Sequence, residues 1–325
     1  MVICQGRAPA RHDGPVPDLP SAHDLARMTL EQQHPLTRGW LDDETRLVNL
    51  AGEQEFDLQL ATDHDLAARR AKFLNVGQPP GAFLNRWVEV GPDLRAMLSI
   101  RFKGLDRDKP FVEALTSRAW TKGDLGALKA AALDTYGAFK PLHLRLWSAE
   151  VGEPDTTFTP DRRVLAGRVG DLNAAEVPPE LDLRPTADLG HYEEARAAYA
   201  AVDGQHPAHR SQAQLEAAED LQEGIEAGLL FDVRLNGVWA GYVGVQEGTE
   251  LGLNTYTVQE LILAAQARGR GHGPALTTLL ARHLPDPGRV LLGSIDAANR
   301  GALTAAVRAG RRDVGGWDFL PLAGP

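Results

Sequence analysis

Apolar and polar positions along the chain fall into short runs of two different periods. Alternation over Phe231-Asp232-Val233-Arg234-Leu235 and an apolar run over 238–245 predict two strands. Asn236-Gly237 stands between them and accepts positive φ at both turn positions, so the pair is expected to close as a tight hairpin. Downstream, the pattern predicts a strand over 256–264, a helix over 274–283, a strand over 290–295, a helix over 299–309 and a last strand over 317–322. Upstream, 181–188 reads as a strand running into an alanine-rich helix over 192–201, and 211–229 as a further helix. Ser211, with Gln214 three residues on, would open that helix with a capping box.

The first half echoes this order. Phe56-Asp57-Leu58-Gln59-Leu60-Ala61-Thr62-Asp63 can be laid on Leu181 to Asp188, and each runs into an alanine-rich helix (66–74; 192–201) that exits through a proline, Pro79 or Pro207. Strand, helix and strand follow over 112–120, 125–139 and 142–148. Two copies of one unit, the first eroded, account for the pattern. Prolines and glycines without periodicity set the boundaries. They give a mobile leader over 1–40, a first unit over 41–152, a linker over 153–180 and a second unit over 181–325. The expected fold class is mixed α/β, with a mixed, mostly antiparallel sheet flanked by helices in each unit.

Composition narrows the function. The 325 residues, 43% apolar and 24% charged, suit a folded protein of two ordinary domains or one large one, and no apolar run approaches the ~20 residues that span a bilayer. The N-terminus lacks the apolar core of a signal peptide. The single cysteine, Cys4, can form neither an internal disulfide nor a thiolate metal cluster, so a cytoplasmic location is expected, with no metal. A net charge of -10 argues against nucleic acid or an anionic membrane as partner and favours a cationic small molecule. The oligomeric expectation is a monomer or homodimer.

The informative stretch is Leu261-Ile262-Leu263-Ala264-Ala265-Gln266-Ala267-Arg268-Gly269-Arg270-Gly271-His272-Gly273-Pro274. A buried strand runs into alternating glycines, and a helix opens with proline in its first turn. Glycines let backbone N–H groups converge without Cβ interference, and a helix start adds positive partial charge, so the turn reads as a phosphate cradle. A P-loop would need a Gly-Lys-Ser/Thr ending and a dinucleotide fingerprint a third glycine where Pro274 stands; neither fits. The string that fits is R-x-x-G-x-G, carried by Arg268, Gly271 and Gly273, followed after the next strand by Asn299-Arg300-Gly301-Ala302 and a helix closed by Gly310.

That combination resembles the Gcn5-related N-acetyltransferase (GNAT) superfamily over about residues 181–325, with a degenerate echo over 54–150. The resemblance implies an acetyl-CoA-dependent N-acetyltransferase acting on a primary amine of a small, cationic molecule by direct attack. It implies that the backbone of Arg268, Gly269, Arg270, Gly271, His272 and Gly273 holds the coenzyme pyrophosphate. The backbone of Leu263 and Ala264 would pair with the pantetheine arm, and Asn299 would touch the same arm. Glu260, on the strand before the loop, is the candidate general base. The tyrosine that family members place seven residues after the asparagine is here Ala306, so Tyr256 or Tyr242 would have to serve as acid, unless the thiolate leaves unaided. The aromatic that often follows the helix-ending glycine is here Arg311. Arg300, Arg308, Arg311 and Arg312 either reach the 3′-phosphate or form a solvated face. The acidic run Glu216, Glu219, Asp220, Glu223 and Glu226 either attracts the amine or is a solvated face. The first unit lacks the cradle, because Leu125 stands where the second glycine is needed. A non-catalytic acyl-CoA-binding sensor is the alternative function.

Overall fold

A computed structural model describes residues 19–150 and 157–322. In chain order the elements are α1 (Ala22–Glu31), α2 (Asp43–Thr62), α3 (His64–Leu74), β1 (Arg86–Gly91), β2 (Leu94–Phe102), β3 (Pro110–Thr116), α4 (Leu125–Tyr136), β4 (His143–Ser148), β5 (Thr159–Arg168) and the short α5 (Val169–Leu172). The chain continues through β6 (Leu181–Pro185), α6 (Tyr192–Gln205), α7 (Ala218–Glu226), β7 (Leu230–Leu235), β8 (Val238–Glu250), β9 (Leu253–Leu263), α8 (His272–His283), β10 (Val290–Asp296), α9 (Arg300–Arg308) and β11 (Arg312–Pro321).

All these strands form one sheet in the order β1-β2-β3-β4-β11-β5-β10-β9-β8-β7-β6. The fold is mixed α/β, mostly antiparallel. Among the described residues only β3–β4 and β9–β10 run parallel, and each of these pairs is joined through a helix, α4 or α8. The internal echo is therefore topological. Three antiparallel strands, a crossover helix and a parallel strand occur as β1-β2-β3-α4-β4 and again as β7-β8-β9-α8-β10. Between the two sets lies the antiparallel pair β11–β5, with the C-terminal strand beside β4 and the strand that follows β4 beside β10. Asp161 on β5 fastens this seam: it is 5% exposed, accepts from Lys103 Nζ at 2.7 Å and forms an ion pair with Arg145 of β4, whose Nε lies 2.9 Å away.

Four sequence expectations need correction. The segment 153–180 is not simply a linker, because it contains β5, an interior strand whose Val164, Leu165 and Ala166 are buried. Two of its charged residues, Asp161 and Arg163, are buried and paired: Arg163 Nε and Nη2 meet the Asp313 carboxylate of β11 at 3.0 and 2.7 Å. The leader expected over 1–40 holds a helix from residue 22. Ser21 and Asp24 cap α1 reciprocally, and Leu25, Ala26 and Leu30 bury one of its faces; residues 1–18, Cys4 included, lie outside the described residues. The strand expected over 56–63 is the last part of α2, where Leu50, Gln54, Leu60 and Ala61 are buried at helical spacing and Phe56 is 56% exposed. The helix expected over 211–229 forms only over Ala218–Glu226. The Ser211 hydroxyl bonds back to the Ala208 carbonyl, so no capping box with Gln214 opens it.

The hairpin at Asn236-Gly237 forms as expected, with φ of 52° and 80°. No helix among the described residues is long and apolar enough to cross a membrane. Nor do three or more His, Cys, Asp or Glu side chains gather there as a metal site would require.

Candidate active site

The site grows out of a fork in the sheet. β9 and β10 pair only through Thr255–Thr257 and Val290–Leu292. Beyond those residues β9 stays with β8 through Leu263, while β10 stays with β5 through Asp296, so the two strands part. The register between β8 and β9 also slips: Val245 faces Val258 and Gly244 faces Glu260, which leaves Gln259 as an extra residue in a bulge.

The bulge decides where the candidate catalytic side chains go. Four residues apart on a regular strand, Tyr256 and Glu260 would share a face. Here they do not. Tyr256 packs among Val243, Val245, Leu276 and Leu280 on the α8 side, with the Arg289 guanidinium 5.3 Å from its ring centroid. Glu260 lies with α6 on the opposite face, 1% exposed, where its carboxylate accepts from the Tyr199 hydroxyl at 2.7 Å, the Leu261 N–H at 3.0 Å and the Glu216 N–H at 3.3 Å. Burial is the main cause that pushes the Glu260 carboxyl up to about 7, against the lowering effect of those hydrogen bonds. The bond to the Glu216 N–H also removes that donor from any helix, which is one reason α7 begins late. Tyr242 lies on the Glu260 side, edge-on to Trp239 at 5.3 Å, and burial pushes its hydroxyl up to about 12.

The glycine loop turns the chain from the end of β9 into α8. Gly269 and Gly271 have φ of 71° and 80°, a conformation glycine adopts without strain. Gly271 is the N-cap of α8 and supplies no side-chain acceptor, so the first N–H groups of the helix have no side-chain cap. His272 opens the helix and is buried, and its Nε2 has no hydrogen-bond partner. Arg268 turns away from the loop's glycines. Its Nε donates to the Leu263 carbonyl at 2.5 Å and its Nη2 to the Ala198 carbonyl of α6 at 2.8 Å. Ala264 is similarly engaged: its N–H bonds the Ala240 carbonyl and its carbonyl accepts from Ala267. Three of the backbone groups expected to meet a pantetheine arm thus hold the end of β9 to its surroundings. The Asn299 carboxamide oxygen caps α9 through the Ala302 N–H at 3.1 Å.

Two clefts adjoin this end of β9. One, about 430 Å³, is lined by Gly271, Gly273 and Pro274 of the loop and α8 and by Arg300, Thr304 and Arg308 of α9. The other, about 550 Å³, lies against α6 and the β7–β8 hairpin. His191, stacked on Trp239 at 4.8 Å, lines it together with Glu194, Ala264 and Gln266. Sequence reasoning missed Tyr199 as the partner of Glu260, since nothing in the spacing ties α6 to β9. It also grouped Arg311 with arginines that reach solvent or phosphate, whereas the side chain is buried.

Solved GNAT acetyltransferases are similar to this chain. An enzyme of this family from Sphaerobacter thermophilus is 16% identical over 82% of this chain and 94% of its own, with a TM-score of 0.46. A GNAT-family acetyltransferase from Colwellia psychrerythraea is 14% identical over 79% of this chain and 96% of its own, again at 0.46. A tandem GNAT protein from the clavulanic acid biosynthesis pathway is 14% identical over 82% and 97%, at 0.41. No protein-family model matches the chain. No curated protein sequence matches it at a significant level.

Proposed function

We propose that the chain is an N-acyltransferase that takes an acyl group from acyl-CoA and passes it to the amine of a small, cationic molecule. The observation that carries this reading is the continuity of three features: a forked pair of parallel strands, a glycine loop at the end of one prong, and an uncapped helix start that opens onto a groove lined by arginines. Phosphate groups suit that groove. The N–H groups at the start of α8 and the partial positive charge of its N-terminus face it, and Arg300 and Arg308 line its far wall. The unpartnered Nε2 of His272 supplies a further polar atom at the same helix start.

Acyl-CoA would supply the activated thioester carbonyl. What the chain contributes is position and proton transfer. Glu260 is closed off by its three hydrogen bonds, so it would accept a proton from the amine through the half-buried Tyr199 hydroxyl. The exposed acidic residues of α7, Glu219, Asp220, Glu223 and Glu226, would favour approach of a cation on that side. Arg268 holds the loop against β9 and α6 and acts as a positioning residue.

The reading is tested by incubating the protein with acetyl-CoA and a panel of polyamines, aminosugars and amino acids, and following release of free coenzyme thiol. Amine-dependent release that Glu260→Gln reduces by about 10²-fold or more supports it. One feature favours the alternative of a non-catalytic acyl-CoA sensor: Tyr256 and Glu260 stand on opposite faces of β9, so they cannot act as an acid–base pair on one substrate. Binding of acetyl-CoA without turnover on any amine would establish that alternative.

A further inference from the structure

Arg311 follows α9 by way of Gly310, and its backbone N–H closes that helix on the Ala306 carbonyl at 3.1 Å. Its side chain runs into the protein and is 4% exposed. Nε and Nη1 are buried and bond to nothing, and no ion pair to Arg311 forms among the described residues. Arg163 meets Asp313, Arg145 meets Asp161, and Arg268 meets two backbone carbonyls. Buried Arg46 also leaves Nε and Nη1 without partners, but its Nη2 bonds Gln33 and the Leu251 carbonyl, whereas no hydrogen bond from the Arg311 side chain forms among the described residues. An isolated buried cation is unfavourable, and burial alone lowers the pKa of Arg311 to about 10.

The place it reaches is specific. A Cβ built on Gly293 would lie 2.9 Å from Arg311 Nη1, with the Val258 Cβ 3.6 Å from the same point. Gly293 is the first residue of β10 beyond the stretch paired with β9, and Val258 is the first residue of β9 beyond it. The guanidinium therefore sits at the base of the fork, and any side chain at position 293 would collide with it. The phosphate groove is a different place, lined by the first turn of α8 and by α9.

We infer that Arg311 recognises a carboxylate at the far end of the acyl chain, so that the donor is the coenzyme A thioester of a short dicarboxylic acid. The inference rests on the acyltransferase reading and names the donor class of that same site. A guanidinium and a carboxylate match as a planar two-pronged pair, and the buried donors of Arg311 would gain the partners they lack. The transfer chemistry is the ordinary one. The amine nitrogen forms a bond to the thioester carbon, the carbon–sulfur bond breaks, sulfur leaves as thiolate, and the nitrogen gives up one proton. The distal carboxylate makes and breaks no bond, so the product is an amide that carries a free carboxylate where the acceptor carried a cation.

Calorimetric titration of the full chain with acetyl-, malonyl- and succinyl-CoA tests this, with thermal unfolding of Arg311→Met alongside. Wild type should bind malonyl- or succinyl-CoA at least about tenfold more tightly than acetyl-CoA, the fold-change of one charge-assisted pair. In Arg311→Met the affinities should fall within about twofold of one another, while the unliganded variant unfolds at the same or a higher temperature because an unpaired charge has left the interior. Equal wild-type affinities for all three donors would overturn the inference and leave the acyltransferase reading standing. Absence of binding by any of them would overturn both.

Discussion

The Tyr199 hydroxyl donates a 2.7 Å hydrogen bond to the Glu260 carboxylate and so couples α6 to the bulged strand β9. The carboxyl has a folded-state pKa of about 7 against an ordinary value of 4.5. A carboxyl raised in this way keeps its proton in the native state where the unfolded chain has lost it. Stability therefore falls as pH rises between those two values, and the loss is complete above about 7. Glu260→Gln removes that dependence. Denaturant unfolding at about pH 5 and pH 8 should show wild type losing up to about 3 kcal/mol relative to the variant across the interval, the energy equivalent of the shift.

Tyr199→Phe deletes the strongest of the hydrogen bonds that restrain this rise, so the Glu260 pKa should move higher still. The substitution is expected to cost about 1–2 kcal/mol, because a buried carboxylate loses a donor. If Glu260 accepts the amine proton, the acid limb of the rate profile, where rate rises as the base loses its proton, should move to higher pH and the maximal rate should fall. Steady-state rates over a pH series, with unfolding measured in parallel, separate the kinetic effect from the structural one.

Arg268 ties the end of β9 to α6 through two carbonyls, and this pairing explains how an open glycine loop is kept in place. Arg268→Met should destabilise the protein by about 2 kcal/mol and weaken acyl-CoA binding. Arg268→Lys should rescue little, because a single ammonium does not reproduce the fork that spans both carbonyls. Amide hydrogen exchange across 264–272 is the direct readout, and it should quicken in both variants.

Asp161 ties β5 of the seam to the first repeated set through Lys103 and Arg145. Asp161→Asn removes the buried charge between Lys103 and Arg145, but Arg145 keeps Glu113 at 3.0 Å, so the cost should be about 1–2 kcal/mol. Because one sheet runs through both units, wild type is expected to unfold in a single calorimetric transition. Two separate transitions would show that the units are energetically independent.

Much of the second unit was legible because its signals are local. Asn236-Gly237 fixes a hairpin by backbone conformation alone, and the glycine loop with Pro274 marks the start of α8. What was not legible depends on contacts across the chain. Asp161, Arg162 and Arg163 next to Pro160 read as a solvated linker, and only pairing with Arg145, Lys103 and Asp313 makes that segment an interior strand. Phe56 to Asp63 alternates like a strand, but the helix begun at Asp42 carries through it. The bulge at Gln259 leaves no mark on spacing, yet it sends Tyr256 and Glu260 to opposite faces. Arg311 has the composition of a surface residue at a helix exit, and its burial at the fork follows only from the three-dimensional packing of α9 and β11.

The central claim is that acyl-CoA binds once per chain, at the glycine loop and the start of α8. Calorimetric titration of acetyl-CoA into wild type and Gly271→Glu tests it most directly, with circular dichroism to verify that the variant is folded. A carboxylate at the helix start opposes a phosphate and strains a residue whose φ is 80°. The account predicts one site per chain in wild type and none in the variant. Two sites, no binding by wild type, or undiminished binding by a folded Gly271→Glu would contradict it.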